Sequence, residues 1–321
     1  MMHNARARSV LFRGLGFHAL ALFYAWHFAG LRMSRPMWAP TAFERMVAGT
    51  AISPFQFRAL IPWTVSLLRD LPGLSQVDLS VFRFGSELLF TFLLLVAFRT
   101  YMSGVLGGWW RPVLASLVLA LVLPFHYLIP QEFPFYYAYD IPSVFFFTLG
   151  LHLLRTRRWP LYYAVFTVAT FNRESTCFLA VVYLCTAFGR DRWAVILGHL
   201  AAQFAIWITI KGLLFSLYGG ATNFLHLTRN IYMLRLPATY PVLLSAFGCT
   251  WILALAGFRR IEDEFVRRAC FIVPLFAGVI FVVGQLRELR LYGELIPVVV
   301  PAAILAAGGL LQGAADRNAQ N

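Results

Sequence analysis

Lysine is almost missing from this chain. Of its 27 basic residues only Lys211 is a lysine, and the acidic residues number 14. Charged side chains of both signs make up 13% of 321 residues, too few to solvate the surface of a water-soluble domain. That excludes a cytosolic enzyme and a disordered tail. Cysteine is scarce too. Cys177, Cys185, Cys249 and Cys270 all lie inside apolar blocks without CxxC spacing, which excludes a secreted disulfide scaffold and a zinc site. They read as buried, inert thiols. No glycine-rich phosphate loop precedes a helix, and the chain shows no internal repeat.

What the chain has instead is apolar. Hydrophobic residues are 60% of it, mean hydropathy is +0.70, and the apolar residues form long blocks. This is the pattern of an all-α polytopic membrane protein forming one membrane domain over 1–321. A crossing helix needs about 20 residues. Ten segments qualify as candidates: 14–31, 79–98, 112–129, 141–154, 159–171, 175–188, 193–217, 241–258, 269–286 and 295–311. The fourth, fifth and sixth are short. They must thin the bilayer, extend into their loops, or be screened from lipid by neighbours. The start, with Arg6, Arg8 and Arg13 before an apolar run broken by His18 and His27, resembles a signal peptide. It lacks a small-x-small cleavage site and reads as a retained first span.

The net charge of +13 would suggest nucleic acid in a soluble protein; here it is topology, and no nucleic-acid partner is expected. With the N-terminus inside, 15 of the 27 basic residues fall in cytoplasmic segments, including RTRR (155–158) and RRIEDEFVRR (259–268). The outer segments hold 10, five of them in the long loop 32–78. This is the positive-inside bias, with both termini cytoplasmic, 312–321 a polar tail, and a bacterial inner membrane as the expected location. The stretch 53–68 reads as interfacial or re-entrant, because spanning would place Arg58 in the hydrocarbon at a cost of about 2.5–3.5 kcal/mol. Ser53 is its expected N-cap, Pro54 its first helical residue, and Pro62 its kink.

The remaining ionisable residues fall toward one side. Glu132 and Asp140 lie in the second outer loop, Arg173 and Glu174 at the tip TFNRESTCFL (170–179), and Arg287, Glu288, Arg290 and Glu294 in QLRELRLYGELIP (285–297). Arg83 and Glu87 lie near the outer end of the second span, and Lys211 near that of the seventh. Ionisable groups at membrane depth pair with one another or line an aqueous cavity. Structural readings compete with functional ones. Arg83 and Glu87 at i,i+4 suit a helical pair. Asp140 suits an N-cap, and Asn172 suits a cap for the helix that follows. Arg287, Arg290 and Glu294 recur at i, i+3 and i+7 on one helical face, with Glu288 elsewhere. The aromatics Phe133, Phe135, Tyr136, Tyr137 and Tyr139 form an interfacial belt or a sugar-stacking surface.

Outer-face arginines suit phosphate, because a guanidinium pairs two oxygens at once. Carboxylates beside them take a proton from an acceptor hydroxyl or bind a divalent metal. Apolar spans alongside suit a lipid tail.

Three patterns resemble the GT-C superfamily of polytopic glycosyltransferases, which includes protein O-mannosyltransferases and aminoarabinose transferases. The first is a single span followed by a long outer loop with amphipathic helices (32–78). The second is TFNRESTCFL at a short-helix hairpin tip, and the third is RLYGELIPVVVPAA (290–303), similar to an Arg-Tyr-x-x-Pro-x-x-Pro opening of a late span. The resemblance implies an integral-membrane glycosyltransferase with a polyprenyl-phosphate sugar donor. Arg58, Arg173, Arg287, Arg290 and Tyr292 would bind donor, Glu174 and Glu294 would orient arginines or hold sugar hydroxyls, and Asp140, Glu132 or Glu44 would act as base. The chain departs from that family in lacking an acidic pair in its first outer loop and a soluble C-terminal domain. Membrane lipids and an acceptor-presenting protein are the further partners implied. The rival readings are a transporter or flippase for an anionic or lipid-linked substrate, a surface-polysaccharide polymerase or ligase, and a non-catalytic assembly subunit.

Overall fold

A computed structural model describes residues 2–129, 135–219 and 225–320, with side chains described from Gly14 to Gln312 of these. Among the described residues there are helices and turns and no strand. The helices are α1 (Met2–Met33), α2 (Phe43–Val47), α3 (Leu60–Arg69), α4 (Leu79–Ser103), α5 (Trp110–Tyr127), α6 (Asp140–Arg155), α7 (Trp159–Asn172) and α8 (Phe178–Ala187). They continue with α9 (Trp193–Tyr218), α10 (Leu227–Leu234), α11 (Thr239–Ser245), α12 (Thr250–Ala256), α13 (Glu264–Ala269), α14 (Ile272–Val283) and α15 (Ile296–Gln320). Among the described residues six segments are long and apolar enough to cross a membrane: α4, α5, α9, Thr239–Ala256, Glu264–Val283 and Leu289–Gln312. They have large apolar side chains on the outside. On α9, Leu197, Ile208, Phe215 and Leu217 are all more than half exposed, as a lipid-facing helix requires.

The expected segments 141–154, 159–171 and 175–188 fall on α6, α7 and α8, of 16, 14 and 10 residues, and 14–31 falls within α1. α6 buries 12 of its 16 residues, so its neighbours screen it on nearly all sides. It packs against α4 and α7, and α4 in turn against α1 and α5. The main core runs through this group with Phe98, Leu119, Val144, Leu151 and Phe166 all fully buried.

Local chemistry sets several ends. Asp78 caps α4 by accepting the Ser80 N–H at 2.7 Å, and Asp263 caps α13 by accepting the Val266 N–H at 3.0 Å. Asp263 also takes the Arg155 guanidinium in a fork at 2.7 and 2.8 Å, which ties the end of α6 to the start of α13. The stretch 53–68 differs from its expected form. A 3-10 turn at Phe55–Phe57 precedes α3, so Ser53 is not the cap of that helix, and its hydroxyl donates to the Gly219 carbonyl at 3.2 Å. Pro62 falls in the first turn of α3, where a proline lacks only an unneeded donor, and no kink forms. The expected continuous helix 241–258 is also broken. Phe247, Gly248 and Cys249 are left-handed, with φ of 55°, 58° and 62°.

Candidate functional site

Asp140 is the hub of a buried ionic network. It occupies the first turn of α6, so its backbone is fixed by the helix and its side chain is 0% exposed. Its Oδ2 lies 3.5 Å from Arg32 Nη2; its Oδ1 lies 3.4 Å from Arg290 Nη1 and 3.9 Å from Arg173 Nη1. Arg32, from the end of α1, also donates to Glu87 of α4 at 3.0 Å and to the Tyr137 carbonyl at 3.3 Å. Arg173 adds Glu294 at 3.1 Å without hydrogen-bond alignment, so charge holds it while its Nη1 donor is left without a hydrogen-bond acceptor. Ser175 Oγ donates to the same Glu294 oxygen at 2.6 Å.

Arg58 and Glu174 pair through two contacts, at 2.6 and 3.3 Å, and Arg58 donates to the Tyr139 hydroxyl. Burial works against the Arg58 charge, but Glu174 and then Tyr139 hold its guanidinium above its ordinary value. Arg290 donates twice to Glu288, at 2.6 and 2.8 Å, and lies 3.9 Å over the Tyr137 ring.

Backbone turns aim these groups. Arg173 ends α7 in extended conformation, φ −158° and ψ 144°, which swings its side chain off the helix axis. Asn172 is not the cap of the next helix. Its amide donates to the Tyr139 carbonyl at 3.0 Å and to Ser143 at 2.8 Å, locking α7 to the start of α6. The segment Leu289–Leu295 is a 3-10 helix. Its approach is set from α10: Asn230 donates to the carbonyls of Phe281 and Gly284 at 2.8 and 2.7 Å and accepts the Leu286 N–H at 2.9 Å. Gly293 lets it press against α5, since a Cβ there would sit 1.9 Å from the Tyr127 hydroxyl.

Beside the network lies a cavity of about 920 Å³. Among the described residues five cationic side chains line it, Arg58, Arg173, Lys211, Arg229 and Arg290, against two carboxylates, Glu174 and Glu288. His226 is also on the wall, held below the ordinary imidazole value first by burial and then by the Arg229 cation. Phe178, Phe276, Val279, Ile280 and Val283 make one side apolar, and Phe55 and Tyr137, stacked at 5.5 Å, make another aromatic. The excess of cations suits an anion, and the apolar side suits a hydrocarbon chain attached to it. Among the described residues no three His, Cys, Asp or Glu side chains gather to hold a metal ion.

Of the residues singled out from sequence, Arg58, Arg173, Glu174, Lys211, Glu288 and Arg290 reach the cavity, with the aromatics Phe135 and Tyr137. Asp140 and Glu294 stand behind it as buried counter-ions, which leaves Asp140 no open face from which to take a proton from a substrate. Glu44 is half exposed on α2, 4.0 Å from Arg83, and does not line the cavity. Tyr292 packs in the core with its hydroxyl donating to the Leu286 carbonyl at 3.4 Å, and Arg287 is off the cavity wall. Glu132 and Phe133 lie outside the described residues. Arg83 and Glu87 do not pair: Glu87 belongs to Arg32, and Arg83 reaches Met37 and Glu44. Sequence reasoning placed Glu288 away from the arginines, and it gave no role to Arg32, Arg229 or His226. Arg32 carried a signal, since it directly follows the apolar run 14–31.

Compared with known proteins, the chain matches no family model, no curated protein and no solved structure.

Proposed function

We propose that this chain is an integral-membrane glycosyltransferase that uses a polyprenyl-phosphate-linked sugar at the extracytoplasmic face. The observation that carries the proposal is the cavity: five cations over two carboxylates, with an apolar wall on one side and stacked aromatics on another. A sugar joined to a phosphate joined to a hydrocarbon chain has those three chemistries. In this reading Arg173, Arg290, Arg58 and Lys211 hold the phosphate, and the aromatic face holds the sugar ring. An acceptor hydroxyl attacks the anomeric carbon. The bond from that carbon to the phosphate oxygen breaks, its electron pair stays on the phosphate, and the arginines stabilise the developing charge. The acceptor proton goes to Glu288, a carboxylate on the wall, while Glu174 orients Arg58.

The full topology belongs to the same proposal. α1, α6, α7 and α8 complete ten crossings, the short ones shielded by their neighbours, with both termini in the cytoplasm of a bacterial cell. The resemblance to the GT-C superfamily agrees with this in the hairpin tip at Arg173 and the turn at Arg290.

The test is turnover of a polyprenyl-phosphate sugar by the purified protein in detergent. Wild type should release polyprenyl phosphate, and Arg173→Ala with Arg290→Ala should lower the rate by on the order of a thousandfold, since each removes a charged donor from the transition state. Full activity of that variant rejects the site. Counterflow of intact donor across proteoliposomes without bond cleavage favours the carrier reading.

A further inference from the structure

A second cleft, of about 480 Å³, lies at the opposite ends of the same two helices that border the ionic site. α5 starts at this cleft with Arg111 and finishes at Tyr127, whose ring lies 4.8 Å beneath Arg32. α15 leaves the turn that holds Arg290 and reaches the cleft at Gly308. The cleft therefore sits a full helix length from the ionic site and is independent of it.

Its rim is ionic and its wall is apolar. Arg111 and Arg260 stand on the rim with Glu262, all three exposed. Arg260 is fixed rather than free to sweep the surface, because its Nη1 donates to the Gly309 carbonyl of α15 at 3.1 Å. That bond uses one of the five guanidinium donors. Gly308 makes the depth: a Cβ placed there meets nothing within 4 Å. From the rim the wall descends along α5 through Leu114 and Val118. Leu121, one further turn down the same face, is 70% exposed, so the apolar track continues beyond the cleft. Trp109 and Trp110 meet edge-on at 4.6 Å at the start of α5, with Trp110 63% exposed, and such a pair marks the level of the lipid headgroups.

We propose that this cleft binds an anionic phospholipid of the phosphatidylglycerol class, its phosphate between Arg111 and Arg260 and one acyl chain along Leu114, Val118 and Leu121. Among the described residues two guanidiniums against one carboxylate leave the rim with a single positive charge, which matches a singly charged headgroup. The headgroup hydroxyls then donate to Glu262. Basic clefts between membrane helices recognise lipid headgroups in this way. The site rests on its own residues and not on the proposed transferase activity.

Native mass spectrometry of the full-length protein in mild detergent tests it, with phosphatidylglycerol, phosphatidylethanolamine and phosphatidylcholine added in equal amounts. Wild type should retain phosphatidylglycerol in preference to both zwitterionic lipids. Arg111→Gln with Arg260→Gln should weaken that retention by on the order of tenfold. Gly308→Leu fills the cleft without removing a charge and should do the same, with the thermal midpoint of each variant confirming that it folds. Equal retention of the three lipids by wild type, or retention unchanged in both variants, overturns the proposal.

Discussion

Asp140 is shared by three arginines, and water reaches none of it. Burying ions is costly, and removing one partner leaves others uncompensated at about 3–5 kcal/mol. Asp140→Ala should therefore lower the unfolding midpoint in detergent far more than Glu44→Ala, whose carboxylate is half exposed and only 4.0 Å from Arg83. A second residue-scale prediction concerns Gly293. Gly293→Ala drives a methyl into the Tyr127 hydroxyl and should cost about 1–3 kcal/mol. That hydroxyl is buried without a hydrogen-bond partner, so Tyr127→Phe alone should cost little. In the Tyr127→Phe background the Gly293→Ala penalty should shrink, and a double-mutant cycle by thermal unfolding measures the coupling.

The elements show where sequence reasoning reached and where it stopped. Apolar blocks located α4, α5, α9 and α15 closely, because length and composition alone define them. The turn at 285–294 was not legible. Read as an α-helix it puts Arg287 beside Arg290 and sends Glu288 away. The chain there is a turn leading into a 3-10 helix whose entry is fixed by Asn230, more than 50 residues upstream in α10. Likewise an i,i+4 pair of Arg83 and Glu87 is a local expectation, overridden because Arg32 arrives from α1. The break at Phe247–Cys249 had no local signal beyond Gly248; its first N–H is satisfied by His126 Nε2 at 3.0 Å from α5. A left-handed residue with a Cβ costs about 1–2 kcal/mol, so Cys249→Gly at this exposed position should raise the thermal midpoint. At the other end, the Arg155–Asp263 clamp has a pH signature. Burial acts to raise the Asp263 value, but the Arg155 hydrogen bonds and the Val266 N–H outweigh it and hold it below the ordinary carboxylate. Its stabilisation is present above the unfolded aspartate pKa and is lost as pH falls through the lower folded value. Asp263→Asn should flatten the acid limb of a stability–pH profile recorded by thermal unfolding.

For the whole molecule, the sequence made a gathering of distant ionic residues legible, and the structure joins Asp140, Arg173, Arg290 and Glu294 through shared contacts, with the Arg58–Glu174 pair on the same cavity as Arg173 and Arg290. The particular pairings were not, since they depend on which helices pack. Sidedness itself is open to a direct check. With the native cysteines replaced, Leu225→Cys on the cavity wall should react with a membrane-impermeant maleimide added outside intact cells. Arg259→Cys should react only after permeabilisation. The central claim is that the cavity holds a lipid phosphate, and a structure determined with polyprenyl phosphate bound tests it most directly. Phosphate density within hydrogen-bonding distance of Arg173 and Arg290, its chain running along Phe276 and Val279, is the result expected; an empty cavity with the lipid bound elsewhere would contradict it.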